Sequence, residues 1–246
     1  MSQQITLYTA KICPYAQRVE IALAEAKADF KSYLIDLTNK PEWYLPKVNP
    51  AGKASLIHAL YARYVPSIAY GGPDVPPDSP SPESTKLAES LILVEFVADL
   101  FPSSNILPTD PVLRAKARFF IETVSTKFNS TYMGFLARGE PYQKILDGAV
   151  AVQDLLPESG PYAVGDQYTI ADIAFTPFFA RLKIAAENDI GKYESGEGKK
   201  LWEALQEPKY ARFNAYVNRL LERPSFKATF DEEYVKGAFS KRFGRS

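Results

Sequence analysis

The chain has 246 residues, 46% hydrophobic and 13% aromatic, enough for a sizeable core and incompatible with general disorder. Its 29 Lys and Arg balance 29 Asp and Glu, and no basic run exceeds a pair, so the cationic surplus that nucleic acid requires is missing. One cysteine and one histidine exclude an internal disulfide and a clustered metal site, and no apolar stretch approaches the roughly 18 residues of a membrane span.

Ile5-Thr6-Leu7-Tyr8 reads as a buried strand. Val19, Ala22, Leu23 and Ala26 recur at helical spacing and predict a helix from Pro14 to Lys27 directly after it. Residues 30–37 alternate through Tyr33-Leu34-Ile35-Asp36 as a second strand, and such a start implies a parallel pair with a right-handed crossover. Gly71 and Gly72, with Pro73, Pro76, Pro77, Pro80 and Pro82, make residues 71–82 a loop. A short segment, Thr85 to Ala88, precedes the apolar run Leu91 to Phe101, which Pro102 ends. Beyond Ser103 the pattern changes, and residues 111–138, 142–156, 169–187 and 199–222 read as helices with Pro and Gly at the joints. The predicted organisation is an α/β domain over 1–102, a linker at 103–110 and an all-helical domain over 111–246. The first residues show neither the basic start nor the apolar run of a secretory signal, which with the cysteine usage points to the cytosol.

Chemistry concentrates in Cys13-Pro14-Tyr15-Ala16-Gln17-Arg18, at the turn between the first strand and its helix. Pro14 suits the first helical position, which leaves Cys13 at or beside the N-cap. Helix amides and the positive end of the macrodipole stabilise a thiolate there, below the free-thiol value of roughly 8.5. That is what a nucleophilic or disulfide-exchanging cysteine needs. A lone cysteine is otherwise a small buried side chain that packs; the strand end and the following proline favour the reactive reading. Ala16 stands where a C-x-x-C pair would carry its second thiol, so turnover must borrow an external one. Thr169 and Asp172 read as a helix capping pair with no catalytic role.

The cysteine motif resembles the C-P-F/Y-A-x-R of omega-class glutathione transferases. Asn39-Lys40-Pro41-Glu42-Trp43, Val65-Pro66, Glu89-Ser90 and Gly165 followed by Thr169-Ile170-Ala171-Asp172 resemble further family segments in the same order, over about residues 4–235. The resemblance implies the glutathione transferase fold, an α/β thioredoxin-like N-terminal domain plus an all-α C-terminal domain. It implies glutathione as co-substrate, no metal, and Cys13 as the catalytic residue, forming a mixed disulfide with glutathione. Glutathione binding falls by the same resemblance to Pro14, Tyr15, Lys40 at the glycyl end, Val65 and a cis Pro66 at the cysteinyl backbone, and Glu89 and Ser90 at the γ-glutamyl end. Arg181 matches a family position facing the second substrate, in a cleft between the domains. Tyr132, Met133 and Phe135 are candidate apolar liners, against the alternative that this aromatic stripe is core.

The implied activity is thiol transfer or deglutathionylating reduction, a detoxification chemistry that dehydroascorbate, small disulfides and glutathionylated aromatic compounds all fit. The implied partners are glutathione and a small hydrophobic or glutathionylated molecule, with neither nucleic acid nor membrane, and the implied assembly is a homodimer. Two alternatives stay open: a non-catalytic ligand-binding protein of this fold, and a conventional conjugating transferase that uses Tyr8 or Tyr15 to hold the thiolate. The chain departs from the family at one place. Members run from N-P-x-G-K directly into V-P, whereas here the eleven residues Ala54 to Tyr64, eight of them apolar or aromatic, intervene. They read as an insertion, packed as a short helix at the edge of the glutathione site and leaving the Val65-Pro66 turn in place; His58 within it has no catalytic role.

Overall fold

Ile5–Thr9, a β-branched and aromatic run, forms β1, which is buried at every position as a central strand covered on both faces must be. In the computed structural model, which describes residues 3–49 and 65–244, β1 is joined by β2 (Lys31–Leu34), β3 (Ser67–Tyr70) and β4 (Thr85–Ala88). The order is β2-β1-β3-β4. β2 runs parallel to β1, connected through α1 (Pro14–Glu25), while β3 is antiparallel to β1 and β4 to β3. The insertion read at Ala54 to Tyr64, with His58, lies outside the described residues.

The chain divides into two units after Ser104. In the first, α1 packs against α3 (Ser90–Leu100), burying Val19, Leu23, Leu93, Val94 and Val97. Strand side chains alternate, so Tyr8 faces the opposite way from Leu7. There it joins Cys13, Ala16, Val48, Val65 and Tyr44 of the one-turn α2 (Tyr44–Lys47) in a single apolar cluster. The proline-rich connection between β3 and β4 is tied down by side chains: the Tyr8 hydroxyl donates to the Pro77 carbonyl at 2.7 Å, and the Lys86 ammonium donates to the carbonyls of Ser81 and Ser84. This mixed sheet with its helices is a thioredoxin-like unit.

The second unit is helical, with α4 (Pro111–Thr123), α5 (Ser130–Arg138), α6 (Gln143–Leu155), α7 (Ile170–Glu187), α8 (Glu197–Leu205), α9 (Ala211–Leu221), α10 (Pro224–Thr229) and α11 (Glu232–Phe243). The predicted helix over 111–138 is interrupted by a π-helical segment, Val124–Asn129. Hydroxyls loosen the ladder there: Thr126 Oγ1 donates to the Glu122 carbonyl at 2.8 Å and Thr131 Oγ1 to the Phe128 carbonyl at 2.7 Å. Gly148 of α6 admits the widened turn, since a Cβ there would stand 2.6 Å from the Lys127 carbonyl oxygen. The predicted helix over 199–222 is two, broken at Pro208.

Nearly all of α7 is buried, and Thr169 with Asp172 builds its capping box. Asp172 also accepts from the Ala163 amide at 2.9 Å and the Tyr216 hydroxyl at 2.9 Å. Burial pushes its carboxyl up to about 6, against the pull of these donors. Among the described residues no helix is long and apolar enough to cross a membrane.

Candidate active site around Cys13

Cys13 is the N-cap of α1, extended at φ −84° and ψ 116°, with Pro14 entering the helix. Its amide donates to the Ala10 carbonyl at 2.8 Å and its carbonyl accepts from the Gln17 amide at 3.2 Å, so backbone bonds hold the residue on both sides. The side chain is 3% exposed, and the thiol donates to the Val65 carbonyl at 3.8 Å. The Val65–Pro66 peptide is cis and leads into β3. Cys13, Val65 and Pro66 are thereby brought to one end of the sheet. Around them Tyr8, Tyr33, Trp43 and Tyr44 form an aromatic group with ring centroids 5.5 to 6.2 Å apart. The Tyr44 hydroxyl donates to Ser67 Oγ at 3.3 Å, and burial raises both its phenol and that of Tyr8, the latter to about 12.

A second group of residues gathers at the start of α3. Glu89, its N-cap, is exposed and lies at φ +74° and ψ 112°, a backbone that L residues rarely adopt, with no capping bond from its side chain. Ser90, the first helical residue, is 7% exposed. Its Oγ accepts from Arg18 Nη1 of α1 at 3.2 Å. Arg18 is 2% exposed, and its guanidinium carbon stands 5.3 Å from the centre of the Tyr15 ring. Burial lowers the guanidinium to about 10, with Tyr15 and Cys13 pulling the other way; burial also raises the half-buried Tyr15. The motif reading includes Arg18 but gives it no role. The signal was present, because a charge four residues before the fully buried Ala22 lies on the apolar side of α1. Lys40 is half-buried in the turn that Asp36 builds by accepting from the Thr38 amide and hydroxyl, and its ammonium donates to the Leu37 carbonyl at 3.3 Å.

The residues expected to meet a second substrate belong to the helical unit. Tyr132 and Phe135 of α5 are buried: Tyr132 stands edge-on to Phe178 of α7 at 6.0 Å, and Phe135 stacks on Tyr193 at 4.2 Å. Met133 between them is half-buried. Arg181 of α7 is 1% exposed, donates to the Pro177 carbonyl at 3.1 Å and has its guanidinium 5.3 Å from the Phe230 ring centre.

Comparison with known proteins agrees with this architecture. The sequence model for "Glutathione S-transferase, N-terminal domain" matches residues 7–54. Among solved structures, the chain is similar to glutathione transferase Omega 1C from Trametes versicolor, with 57% identity, 98% of this chain and 97% of that chain covered, and a TM-score of 0.90. It is also similar to glutathione transferase Omega 2S of that organism in complex with 2,4-dihydroxybenzophenone, at 40% identity over 98% of this chain and all (100%) of the other, with a TM-score of 0.88. Glutathione S-transferase L1 of Arabidopsis thaliana is 28% identical over 241 residues, 96% of this chain and 86% of that protein.

Proposed function

Because the chain belongs to the omega class of the glutathione transferases and is a glutathione-dependent enzyme, we propose that its reaction is thiol transfer through a mixed disulfide on Cys13. The observation that carries the reading is the place of Cys13: a sulfur at the head of α1, where helix amides favour a thiolate, beside the Val65 carbonyl. The Cys13 thiolate attacks the glutathionyl sulfur of the substrate. A sulfur–sulfur bond forms between Cys13 and glutathione, and the substrate leaves as a thiolate or a carbanion that takes up a proton. The thiolate of a second glutathione then attacks the glutathionyl sulfur, oxidised glutathione departs, and Cys13 regains its electron pair. Pro14, Tyr15, Lys40, Val65, Pro66, Glu89 and Ser90 hold the tripeptide in this proposal, while Arg181, Tyr132, Met133 and Phe135 meet the second substrate.

The conjugating alternative is disfavoured at Tyr8, whose hydroxyl donates to Pro77. Small glutathionylated or hydrophobic molecules, aromatic ones included, are the substrate class, and the dihydroxybenzophenone complex of the related Omega 2S protein supports the aromatic part. Dehydroascorbate, polar and without a glutathionyl sulfur, would instead accept two electrons as Cys13 and a first glutathione thiol join in the mixed disulfide. A homodimer in the cytosol belongs to the same proposal, and sedimentation at twice the monomer mass tests the assembly. The chemistry is tested by intact mass after treatment with oxidised glutathione. One glutathionyl adduct, removed by reduced glutathione and absent from Cys13→Ser, is expected. That variant should keep glutathione affinity within about tenfold, or 1.4 kcal/mol, while thiol transfer disappears. A thioether as the dominant product from a halonitroaromatic substrate would establish conjugation instead.

A further inference from the structure

Arg18 of α1 and Ser90 of α3 meet in a buried contact whose direction is fixed by chemistry. A guanidinium carries only donors, so in the 3.2 Å contact Ser90 Oγ must accept. The Ser90 proton therefore points away from Arg18. Ser90 is also the first residue of α3, where backbone amides lack intrahelical acceptors. The Tyr15 ring lies 5.3 Å from the Arg18 guanidinium carbon and adds a second contact to it. Swinging it away would draw a charge that is 2% exposed across an apolar helix contact.

We propose that Arg18 is a positioning residue for glutathione: by occupying a lone pair of Ser90 Oγ, it fixes that hydroxyl as a donor to the carboxylate of the γ-glutamyl end. This deepens the glutathione reading above and rests on it. In an unassisted serine the hydroxyl rotates, and part of the time its lone pairs would face the ligand's carboxylate, oxygen against oxygen. Arg18 removes the rotamer that would spend the proton on its own side and so favours those that offer it to the ligand. The residue comes from the helix that Cys13 caps, so one element sets both the nucleophile and the orientation of the carboxylate seat.

The test uses two ligands that cannot form disulfides: S-methylglutathione, and its counterpart with 4-aminobutyryl in place of the γ-glutamyl group, which lacks only the α-carboxylate. Dissociation constants are measured for the full chain and for Arg18→Met, Arg18→Lys, Ser90→Ala and Arg18→Met with Ser90→Ala. Arg18→Met should weaken S-methylglutathione by about tenfold or more, the range for a hydrogen bond to a charged group. It should change the decarboxylated analogue by less than about twofold, and add less than about twofold in the Ser90→Ala background. Arg18→Lys, which keeps a buried donor cation, should recover part of the loss. Equal losses for both ligands would mean that Arg18 only props the fold; an undiminished loss in the Ser90→Ala background would mean that it does not act through Ser90. Either result overturns the proposal. If Arg18→Met fails to fold, Arg18→Lys decides alike, its loss confined to the carboxylate ligand or spread over both. A wild-type chain that binds neither ligand would instead remove the glutathione reading, whereas binding with no preference for the carboxylate keeps that reading and removes this one.

Discussion

Replacing Glu89 by glycine should make the protein more stable and a poorer binder of glutathione. Glu89 sits at φ +74° with no capping bond, exposed to solvent, so its conformation is imposed by the chain on either side. A residue with a Cβ held in such a sparsely populated region costs about 1–3 kcal/mol. Glycine removes that cost and returns about 0.5–1 kcal/mol through the greater freedom of the unfolded chain. The net gain is about 1 kcal/mol. Alanine keeps the strain and should match the parent, and asparagine, which enters positive φ more readily than alanine, should fall between. The chain has two tryptophans, Trp43 in the first unit and Trp202 in the second. In a Trp202→Phe background, fluorescence during urea unfolding therefore follows the unit that contains Glu89, and midpoints compared at constant slope give the differences. S-methylglutathione affinity should fall by about tenfold in the glycine variant, through loss of the carboxylate proposed to hold the γ-glutamyl end. A glycine variant no more stable than the alanine variant would show that no strain is stored at this N-cap.

Asp172→Ala removes the acceptor from the Ala163 and Thr169 amides and the Tyr216 hydroxyl, and should cost about 3 kcal/mol or more in urea unfolding. Because the folded carboxyl titrates at about 6 rather than 3.8, it binds its proton more tightly folded than unfolded. The pH-dependent part of its contribution is thus full below pH 3.8 and lost as pH rises through about 6, while the hydrogen bonds it accepts remain, so the gap between parent and variant should narrow over that window without closing; a gap that widens with pH contradicts the assignment. Tyr8→Phe breaks the hydroxyl's bond to Pro77, and should lower stability by about 1 kcal/mol while leaving thiol transfer intact; a collapse of activity would revive the tyrosine-based alternative. Deleting residues 54–64 should keep the fold, as circular dichroism would show, and preserve or raise affinity for S-methylglutathione, whereas loss of binding would place the segment in the site.

The strand–helix–strand start was legible because β1 and α1 carry distinct periods and Pro14 marks where one becomes the other. β3 and β4 were not, since strands of four residues beside a proline-rich loop span too few alternations to register. Pro208 alone argued against one helix over 199–222. The π-helical interruption leaves almost no trace, because Ala117, Ile121, Val124, Phe128, Tyr132 and Phe135 keep helical spacing straight through it. At the site, the cysteine turn could be argued from residues, whereas Lys40, Glu89 and Ser90 stood out only by resemblance. The positive φ of Glu89 and the buried meeting of Arg18 with Ser90 depend on two helices coming together, and local sequence holds no record of that.

The π-helical segment also governs which chain lengths this region can tolerate. A π turn contains one residue more than an α turn, and each residue of a helix advances the side chains by about 100°. Val124–Asn129 thus takes up one residue more than an α turn would, while Tyr132, Phe135 and Leu136 of α5 stay buried beyond it. Loss of one residue there would convert the segment to a regular α turn and leave the buried row beyond it facing inward. The close approach of the Lys127 carbonyl that requires glycine at position 148 would then be relieved. A one-residue change in length can therefore be absorbed locally in this segment, without turning the rest of the helix.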